Sequence, residues 1–470
     1  MDMYKKIQLQ LISTLDFVGL AYAQEGGSQT PVITAPPTVP TLIHGESLGK
    51  LSDLLPAEVS QLVISDTLAI YVAPAADSHW TLGKSWNKAS KSNPEIFHLD
   101  GNISLRVNSE DWDMDGFPFG DSNHLEREVS PVLKAKMILW NSVVAQSMGG
   151  SVLASYDVNW MAGSRQLRSA RGKIYRRASF KSIKKAEKDG SLFKEVIRIT
   201  EPNSVAGVTW AESERLGPGN GSYFSYSPIL GRTRPSLQAN RGYPVLDSPS
   251  GLDEVFGSLF DPDEFDSRVV GERKLLVPQV CDKIETLTAE QALPERMNLV
   301  AAKDKVASNE PTEVTADFLG GRGTCLESLV WGFEYGKPNM RGMPPWTPFG
   351  MSFVARDVWE VEVFPVDPFY PYGRRVVYID KETFLPFYHL VYAIDGVFHH
   401  GSIYSWQPVI SPSLHRQVFL PVAQVSFLKG GLRAALWRMQ EVAVSVRDPK
   451  GSFAAAFERS SYDPKPEEVP

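Results

Sequence analysis

Hydrophobic and polar residues alternate most regularly between Val358 and Trp406. In the run VWEVEVF, three apolar residues share one side of an extended strand: Trp359, Val361 and Val363. The runs RRVVYID, FYHLVYAID and VFHHGSIYSW follow, separated by turns rich in Pro, Gly and Asp. Four strands joined by short connections predict an antiparallel meander with one apolar and one solvated face.

A helix is predicted over VSPVLKAKMILWNSVVAQSM, with Ser130 as N-cap, Pro131 at the first helical position and apolar residues at helical spacing. Five short extended runs follow, from SVLASYDVNWM to GSYFSYSPIL. A short helix is predicted around Leu252 to Phe260, and a strand from Arg268 to Val277. Near the end, RQVFLPVAQVSFL predicts a strand and GLRAALWRMQ a short helix.

This order of elements predicts the α+β class. Both apolar faces are buried most simply if the helix lies across a strongly curved sheet. Such an antiparallel sheet forms a half-barrel wrapped around the helix, and it leaves a concave apolar space.

The ends of the chain differ from its middle. A signal peptide is predicted over residues 1–23 from MDMYKK, an apolar run and Ala21-Tyr22-Ala23. Because Asp16 interrupts the apolar run, a frayed N-terminal helix is the alternative interpretation. Residues 24–43 predict a Pro/Gly-rich linker, and 44–115 a helical and irregular extension. The sheet domain is expected over 116–440 and a loose tail over 441–470. No later stretch is long enough to span a bilayer, so we expect a soluble mature chain.

Composition narrows the class of protein. A chain of 470 residues with 43% hydrophobic and 22% charged residues is typical of globular proteins. The net charge of -7, without a basic stripe, argues against nucleic-acid binding. The two cysteines, Cys281 and Cys325, would form a disulfide in an oxidising compartment if their Cα atoms lie close enough, and stay free otherwise. They have neither zinc-ligand spacing nor a CxxC motif.

One acidic run resembles the start of a calcium loop. Asp111, Asp113, Asp115 and Gly116 have the required spacing. The twelfth position, where a bidentate Glu is needed, is Ser122. A solvated acidic loop is therefore the favoured interpretation, and no metal site is predicted.

Three patterns resemble catalytic or metal-binding motifs. GESLG places Ser47 in a GxSxG motif, but no strand precedes it, so a turn that caps the following helix explains it better. Glu360 and Glu362 share a strand face and suggest a glycosidase pair, although exposed strand polarity is the simpler explanation. His399 and His400 are expected on opposite faces of a strand, as surface and core histidines. We therefore predict no catalytic residue, no cofactor and no enzymatic activity.

Several motifs, taken in order, resemble one family. They are GFPFGD with KAKMILWNSVV, the aromatic strand into GRTRP, SGLDEVFGSLFDPDEFDSRVVGERKLLVP, and VWEVEVFPVDPFYPYGRRVVYIDKETFLPFYHLVYAIDGVF. The family is the exported bacterial one called domain of unknown function 1329, which is similar to the outer-membrane lipoprotein-sorting carriers. The resemblance covers about Gly116 to Trp406.

The resemblance implies a half-barrel whose hydrophobic hollow receives acyl chains, in the periplasm of a Gram-negative bacterium. It implies partnership with exporters of the resistance-nodulation-division (RND) type, and it assigns no catalytic residues. The basic entries of the family's strands correspond to Arg232 and Arg234, and to Arg374 and Arg375.

These observations lead to the hypothesis of a periplasmic carrier for a lipid or another hydrophobic molecule, working with an RND-type exporter or in outer-membrane lipid trafficking. Five apolar residues are predicted to line its cavity: Trp359, Val361, Val363, Val377 and Ile379. Arg232, Arg234 and Arg374 are rim candidates for an anionic headgroup, and peripheral membrane contact is expected. The alternatives are an accessory subunit of an export complex without its own ligand, and an uncharacterised hydrolase.

Overall fold

The computed structural model describes residues 41–73, 82–108, 116–147, 151–178, 193–215, 221–257, 261–279, 297–299, 332–333, 346–349, 351–411 and 416–445. The predicted signal peptide, Cys281, Cys325 and the acidic residues 111–115 lie outside the described residues.

Strands dominate the described part of the chain. In chain order they are β1 (Thr41–Ile43), β2 (Ile70–Val72), β3 (Phe97–Leu99), β4 (Leu105–Val107), β5 (Ser151–Ala162), β6 (Arg165–Ala178), β7 (Phe193–Glu201), β8 (Thr209–Glu214), β9 (Ser222–Ser227), β10 (Arg232–Ser236), β11 (Phe265–Gln279), β12 (Met297–Leu299), β13 (Gly332–Phe333), β14 (Pro348–Phe349), β15 (Ser352–Pro365), β16 (Arg374–Asp380), β17 (Pro386–Tyr392), β18 (Phe398–Ser411), β19 (Arg416–Leu428) and β20 (Ala434–Ser445). The α-helices are α1 (Ala57–Ile64), α2 (Lys84–Ser92), α3 (Ser122–Leu125) and α4 (Pro131–Ser147).

Among the described residues, 16 strands form one sheet. Its main path runs β1-β2-β15-β16-β17-β18-β19-β20-β5-β6-β7-β8-β9-β10, and β11 and β12 pair off this path with β15 and β20. Strands β15 to β18 are consecutive antiparallel neighbours, which confirms the predicted meander. The fold is therefore mostly β-sheet with few helices.

Helix α4 forms where it was predicted. The Ser130 hydroxyl accepts a hydrogen bond from the Leu133 amide at 3.3 Å, as expected of an N-cap. The helix packs against β11 and β19, and its buried Lys136 donates to the carbonyls of Pro262 (2.5 Å) and Phe265 (2.7 Å). These contacts fix α4 on the sheet, whereas the wrapping of the whole sheet around it stays a prediction. Within the described part of the chain, no helix has the length and apolar character needed to cross a membrane.

Several local predictions are wrong. GLRAALWRMQ was predicted to be helical, but most of it belongs to strand β20, which pairs with β5 and β19. Long-range pairing outweighs the weak helical preference of Ala, Leu, Arg and Met. Residues Thr41–Ile43, placed in the linker, form β1 and pair with β2. The helix expected from Leu252 is a single 3₁₀ turn over Leu252–Glu254.

The predicted solvated face of the meander is also wrong, because both faces of β16 are buried over most of its length. One face carries Val377 and Ile379, and the other carries Val376 and Tyr378. Helix α1 reaches the second face, where Glu58 accepts a hydrogen bond from Tyr392 on the adjacent strand β17 at 2.8 Å. The N-terminal helix α1 therefore packs on the sheet.

Candidate functional site

Residues 238–257, here called the crossing segment, join distant parts of the sheet. They leave β10, which ends the sheet's path, and contact β8 through Arg241 and β16 through Asp253. The segment continues over β18 and β19, where the Phe256 amide donates to Gln424 Oε1 at 2.7 Å. The segment thus covers one face of the sheet, which we call the inner face.

The predicted cavity residues lie on this inner face. The register pairs Trp359 with Ile379, Val361 with Val377, and Val363 with Arg375, so all of these side chains share one side of the sheet. The five apolar residues are at most 2% exposed. The ring of Trp359 lies 5.2 Å from that of Phe384, which in turn lies 4.5 Å from the ring of Phe117. The structure therefore brings them together in the core, and their contact with a ligand stays a prediction.

Asp253 provides the first anchor of the crossing segment. Its carboxylate accepts hydrogen bonds from Arg375 and from the hydroxyl of Tyr370, and all three side chains are buried. The guanidinium of Arg375 also lies over the rings of Tyr370 and Phe265, at 4.7 Å and 5.4 Å from their centroids. A cation and its counterion are thus enclosed together, which requires close matching of their positions.

Glu254 provides the second anchor. Its carboxylate lies 2.9 Å from Nε2 of His400, and its carbonyl accepts a hydrogen bond from the Tyr404 hydroxyl at 2.9 Å. Burial alone would raise the pKa of Glu254, but the neighbouring His400 lowers this pKa to about 2. Close by on the same face, burial lowers the pKa of His389 to about 3. The carboxylate is therefore ionised at neutral pH, and His389 is neutral.

The predicted separation of His399 and His400 is wrong. Their Nδ1 atoms lie 2.8 Å apart, and the ring of Tyr372 lies 5.0 Å from each of theirs. The register between β17 and β18 shifts here, since Val391 pairs with His400 while Tyr392 pairs with Phe398. His399 is the extra residue of a β-bulge, which cancels the usual alternation. Among the described residues, no group of three or more metal-ligating side chains forms a metal site.

The other end of the crossing segment contacts an acidic cluster. Arg241 lies 2.8 Å from Glu212 and 4.0 Å from Glu214, and Glu195 pairs with Arg176 at 2.6 Å. Burial raises the pKa of Glu212 to about 8 and also raises that of Glu214. Because three carboxylates face two guanidinium groups, one carboxyl group retains its proton at neutral pH.

A small cavity lies between this cluster and the crossing segment. Its volume is about 20 Å³, and Glu212, Tyr223, Arg241 and Leu252 are among its lining residues. A volume of that size holds about one water molecule. An acyl chain is far larger, so a ligand would enter this part of the molecule only after the crossing segment moves.

The rim candidates are not brought together. Arg374 pairs with Glu362 at 2.6 Å and lies 4.2 Å over the ring of Tyr392. Arg232 and Arg234 are exposed on β10, at the end of the sheet's path. The headgroup role of these arginines stays a prediction, and Arg374 would have to leave a carboxylate to perform it.

The residues weighed as catalytic have structural roles in the described part of the chain. The Ser47 hydroxyl donates to the His44 carbonyl at 2.5 Å and accepts from the His44 amide. It therefore stabilises the first turn of a 3₁₀ helix over Gly45–Leu54, whereas the sequence predicted a separate turn before a helix. Glu360 is half-buried, and Tyr378 donates to it at 3.3 Å. The prediction of exposed strand polarity is wrong for Glu362, which is buried between Arg268 and Arg374.

Sequence reasoning missed the crossing segment. Asp253 and Glu254 lie in the stretch predicted as a short helix, and their partners Arg375 and His400 lie more than a hundred positions away. The available signal was a polar side chain at positions expected to be apolar. Arg375 and His400 both interrupt the apolar alternation of buried strands, where a polar group needs a partner.

No protein-family model matches the chain, and no curated protein matches it. Solved structures do. They include an outer-membrane lipoprotein-sorting protein domain from Vibrio parahaemolyticus (11% identity, TM-score 0.43, covering 69% of this chain and 97% of that one). They also include a DUF1329 family protein from Desulfovibrio piger (12%, 0.44, 71% and 100%) and a LolA superfamily protein from Nitrosomonas europaea (11%, 0.36, 70% and 98%).

The family expected from the sequence is among them. The likeness is loose, with about one residue in nine identical and TM-scores below 0.5.

Proposed function

We propose that the protein is a non-catalytic periplasmic carrier that binds a hydrophobic molecule on the inner face of its sheet, and that the crossing segment closes this face. The observation that supports the proposal is the way in which the segment is held. Its anchors to the sheet include the buried charged contacts of Asp253, Glu254 and Arg241.

Charged contacts of this kind suit a cover that opens. Desolvation consumes most of the attraction within a buried ion pair, so the pair contributes little net stability compared with apolar packing. When the segment lifts, water solvates the separated charges again. The apolar residues of β15 and β16 would then gain access to a guest, and each methylene group that the guest buries contributes about 0.8 kcal/mol.

Native mass spectrometry of the gently purified full chain tests this proposal. A co-purified lipid, released by denaturation, is the expected result. A sharper comparison uses Asp253→Asn, which weakens an anchor, with Glu360→Gln on the opposite face as the control. We expect tighter binding of the fluorescent fatty acid cis-parinaric acid by Asp253→Asn than by the control. Equal absence of binding by all three proteins would refute the carrier.

The covered inner face favours a second candidate, an accessory subunit without its own ligand. In the described residues the crossing segment lies over this face, and the cavity beside Arg241 has a volume of about 20 Å³. This candidate predicts an empty protein that co-purifies with a membrane transporter. The RND-type exporter implied by the resemblance remains part of this proposal, and affinity capture from solubilised envelopes tests it.

Peripheral membrane contact is supported by two neighbouring loops. Phe369 (76% exposed) lies before β16 and Ile394 (78%) after β17, at the same end of the sheet because these strands are antiparallel. We propose that both side chains insert among lipids. Phe369→Ser with Ile394→Ser should reduce co-flotation with phosphatidylethanolamine vesicles. Val129→Ser should not, because Val129 (93% exposed) follows closely on Glu126, which pairs with Lys381 in the turn at the other end of β16.

A further inference from the structure

The tip of the crossing segment packs an aromatic ring against two neighbouring strands. Phe256 is fully buried, and its ring lies 5.8 Å from Tyr156 of β5 and 5.9 Å from Trp437 of β20. Trp160 of β5 lies 6.5 Å from Trp437 and completes the group. We call Tyr156, Trp160 and Trp437 the aromatic cluster, with Phe256 as its internal occupant.

The aromatic cluster contains buried polar atoms that make no hydrogen bond within the described part of the chain. The hydroxyl of Tyr156 and the Nε1 atoms of Trp160 and Trp437 have no hydrogen-bond partner among the described residues. Buried Tyr and Trp side chains normally find one. Three such donors in one cluster leave room for an acceptor that does not belong to the described residues.

Phe256 occupies the cluster in an unfavourable conformation. Its φ of +51° lies in the left-handed region, which costs a residue with a side chain free energy. The following Gly257, at φ +84°, lies so close to Trp406 and Gln146 that a Cβ would fall within about 2.6 Å of each. The segment is thus forced into position around Phe256, and a ligand that displaces the ring relieves this strain.

The surrounding charges indicate a neutral ligand. Burial and the neighbouring Glu195 raise the pKa of Tyr156. Glu195 is itself paired with Arg176 at 2.6 Å, and Arg168, whose guanidinium lies 4.3 Å from the ring of Trp160, lies 3.5 Å from Asp247. Because both guanidinium groups already contact carboxylates, the cluster offers hydrogen-bond donors without an excess positive charge. An ester oxygen suits it better than a carboxylate.

We propose that the aromatic cluster binds an ester-linked acyl chain, whose ester oxygens accept hydrogen bonds from Tyr156, Trp160 and Trp437 after the ligand displaces Phe256. The proposal rests on the carrier function proposed above. It places the ester end of the carried molecule at the aromatic cluster. The apolar part of the ligand extends along the inner face.

Titration of the full chain tests this site. The probes are dihexanoyl phosphatidylcholine below its micelle concentration, as the ester, and laurate, as the carboxylate, followed by tryptophan emission and native mass spectrometry. Phe256→Ala should bind the ester about tenfold more tightly than wild type, because the internal competitor is removed. Trp437→Phe keeps an aromatic ring but lacks the indole N–H donor, and should bind several-fold more weakly.

Two further variants control for folding. Phe97→Ala truncates an equally buried phenylalanine in the separate β3–β4 sheet and should bind like wild type. If Phe256→Ala unfolds, Phe256→Leu removes the ring with less loss of volume and should still bind more tightly than wild type.

The outcomes separate the two proposals. If wild type binds the ester but the Phe256 and Trp437 variants titrate like wild type, the aromatic cluster is not the site, although the carrier function stands. If laurate binds as tightly as the ester, the ester assignment is wrong. If wild type and all variants bind neither probe, both the carrier function and this site are refuted.

Discussion

Two adjacent arginines show how strongly the position of a residue decides its role. Arg375 is completely buried against Asp253, whereas the side chain of Arg374 is 35% exposed and pairs with Glu362. Both residues belong to the run RRVVYID, and the family resemblance treats both as basic residues at the start of a strand. Their difference arises from alternation along β16, which directs one inward and the other to the opposite face.

Replacing Arg375 by Met should therefore destabilise the protein far more than replacing Arg374 by Met. Arg375→Met leaves the carboxylate of Asp253 buried without its cation, which costs about 3–5 kcal/mol. In Arg374→Met, Glu362 keeps Arg268 as a partner at 2.6 Å, so we expect about 1 kcal/mol or less. Urea unfolding curves measure both losses, and equal losses would show that Arg375 is not the principal anchor.

His389 should make stability depend on pH. Its folded pKa is about 3, below the usual value of 6.5, so between these values only the unfolded chain takes up the proton. Stability is therefore complete above pH 6.5 and falls by about 1.4 kcal/mol per pH unit below it. We expect His389→Gln to lose this fall between pH 6.5 and 4.5. If wild type and variant show parallel curves in urea titrations, His389 is not the source.

At the level of elements, sequence patterns succeeded where local signals suffice. Strands β15 to β18 were predicted because apolar and polar residues alternate along them, and α4 because its cap and its spacing agree. Strand β20 was missed because its Ala, Leu and Met residues favour a helix until β5 and β19 pair with it. The crossing segment was missed because its contacts span long separations, such as Asp253 to Arg375, and leave no local pattern.

The turn at the tip of the crossing segment offers a matched pair of glycines. Gly257 and Gly396 have similar φ angles, +84° and +80°, but a Cβ at Gly396 would meet open space. Gly396→Ala should cost about 1–2 kcal/mol from backbone strain alone. Gly257→Ala adds overpacking against Trp406 and should cost about 1–3 kcal/mol more. Thermal unfolding of the two variants provides the comparison, and equal losses would mean that the tip is not tightly packed.

For the whole molecule, the sheet and its cover should differ in how easily they open. Strands β5, β6 and β20 pair with neighbours along most of their length, whereas the crossing segment consists mainly of 3₁₀ turns held by charged side chains. Regions with few ladder hydrogen bonds open at lower free energy.

Hydrogen exchange followed by mass spectrometry should show this difference. We expect residues 238–257 to exchange faster than β5 and β20, and to become more protected when an ester ligand is added. Exchange of the segment at the same rate as β20, with and without ligand, would indicate that cover and sheet unfold together and would contradict a cover that opens.

The composition of strand β10 affects how readily copies of the protein aggregate. It ends the path of the sheet, and it combines Pro235, which lacks an amide proton, with the exposed Arg232 and Arg234. A second copy approaching this edge would meet like charges and a gap in its ladder of hydrogen bonds. The two arginines first considered for lipid headgroups thus help to make this end of the sheet a poor template for fibril growth at high concentration.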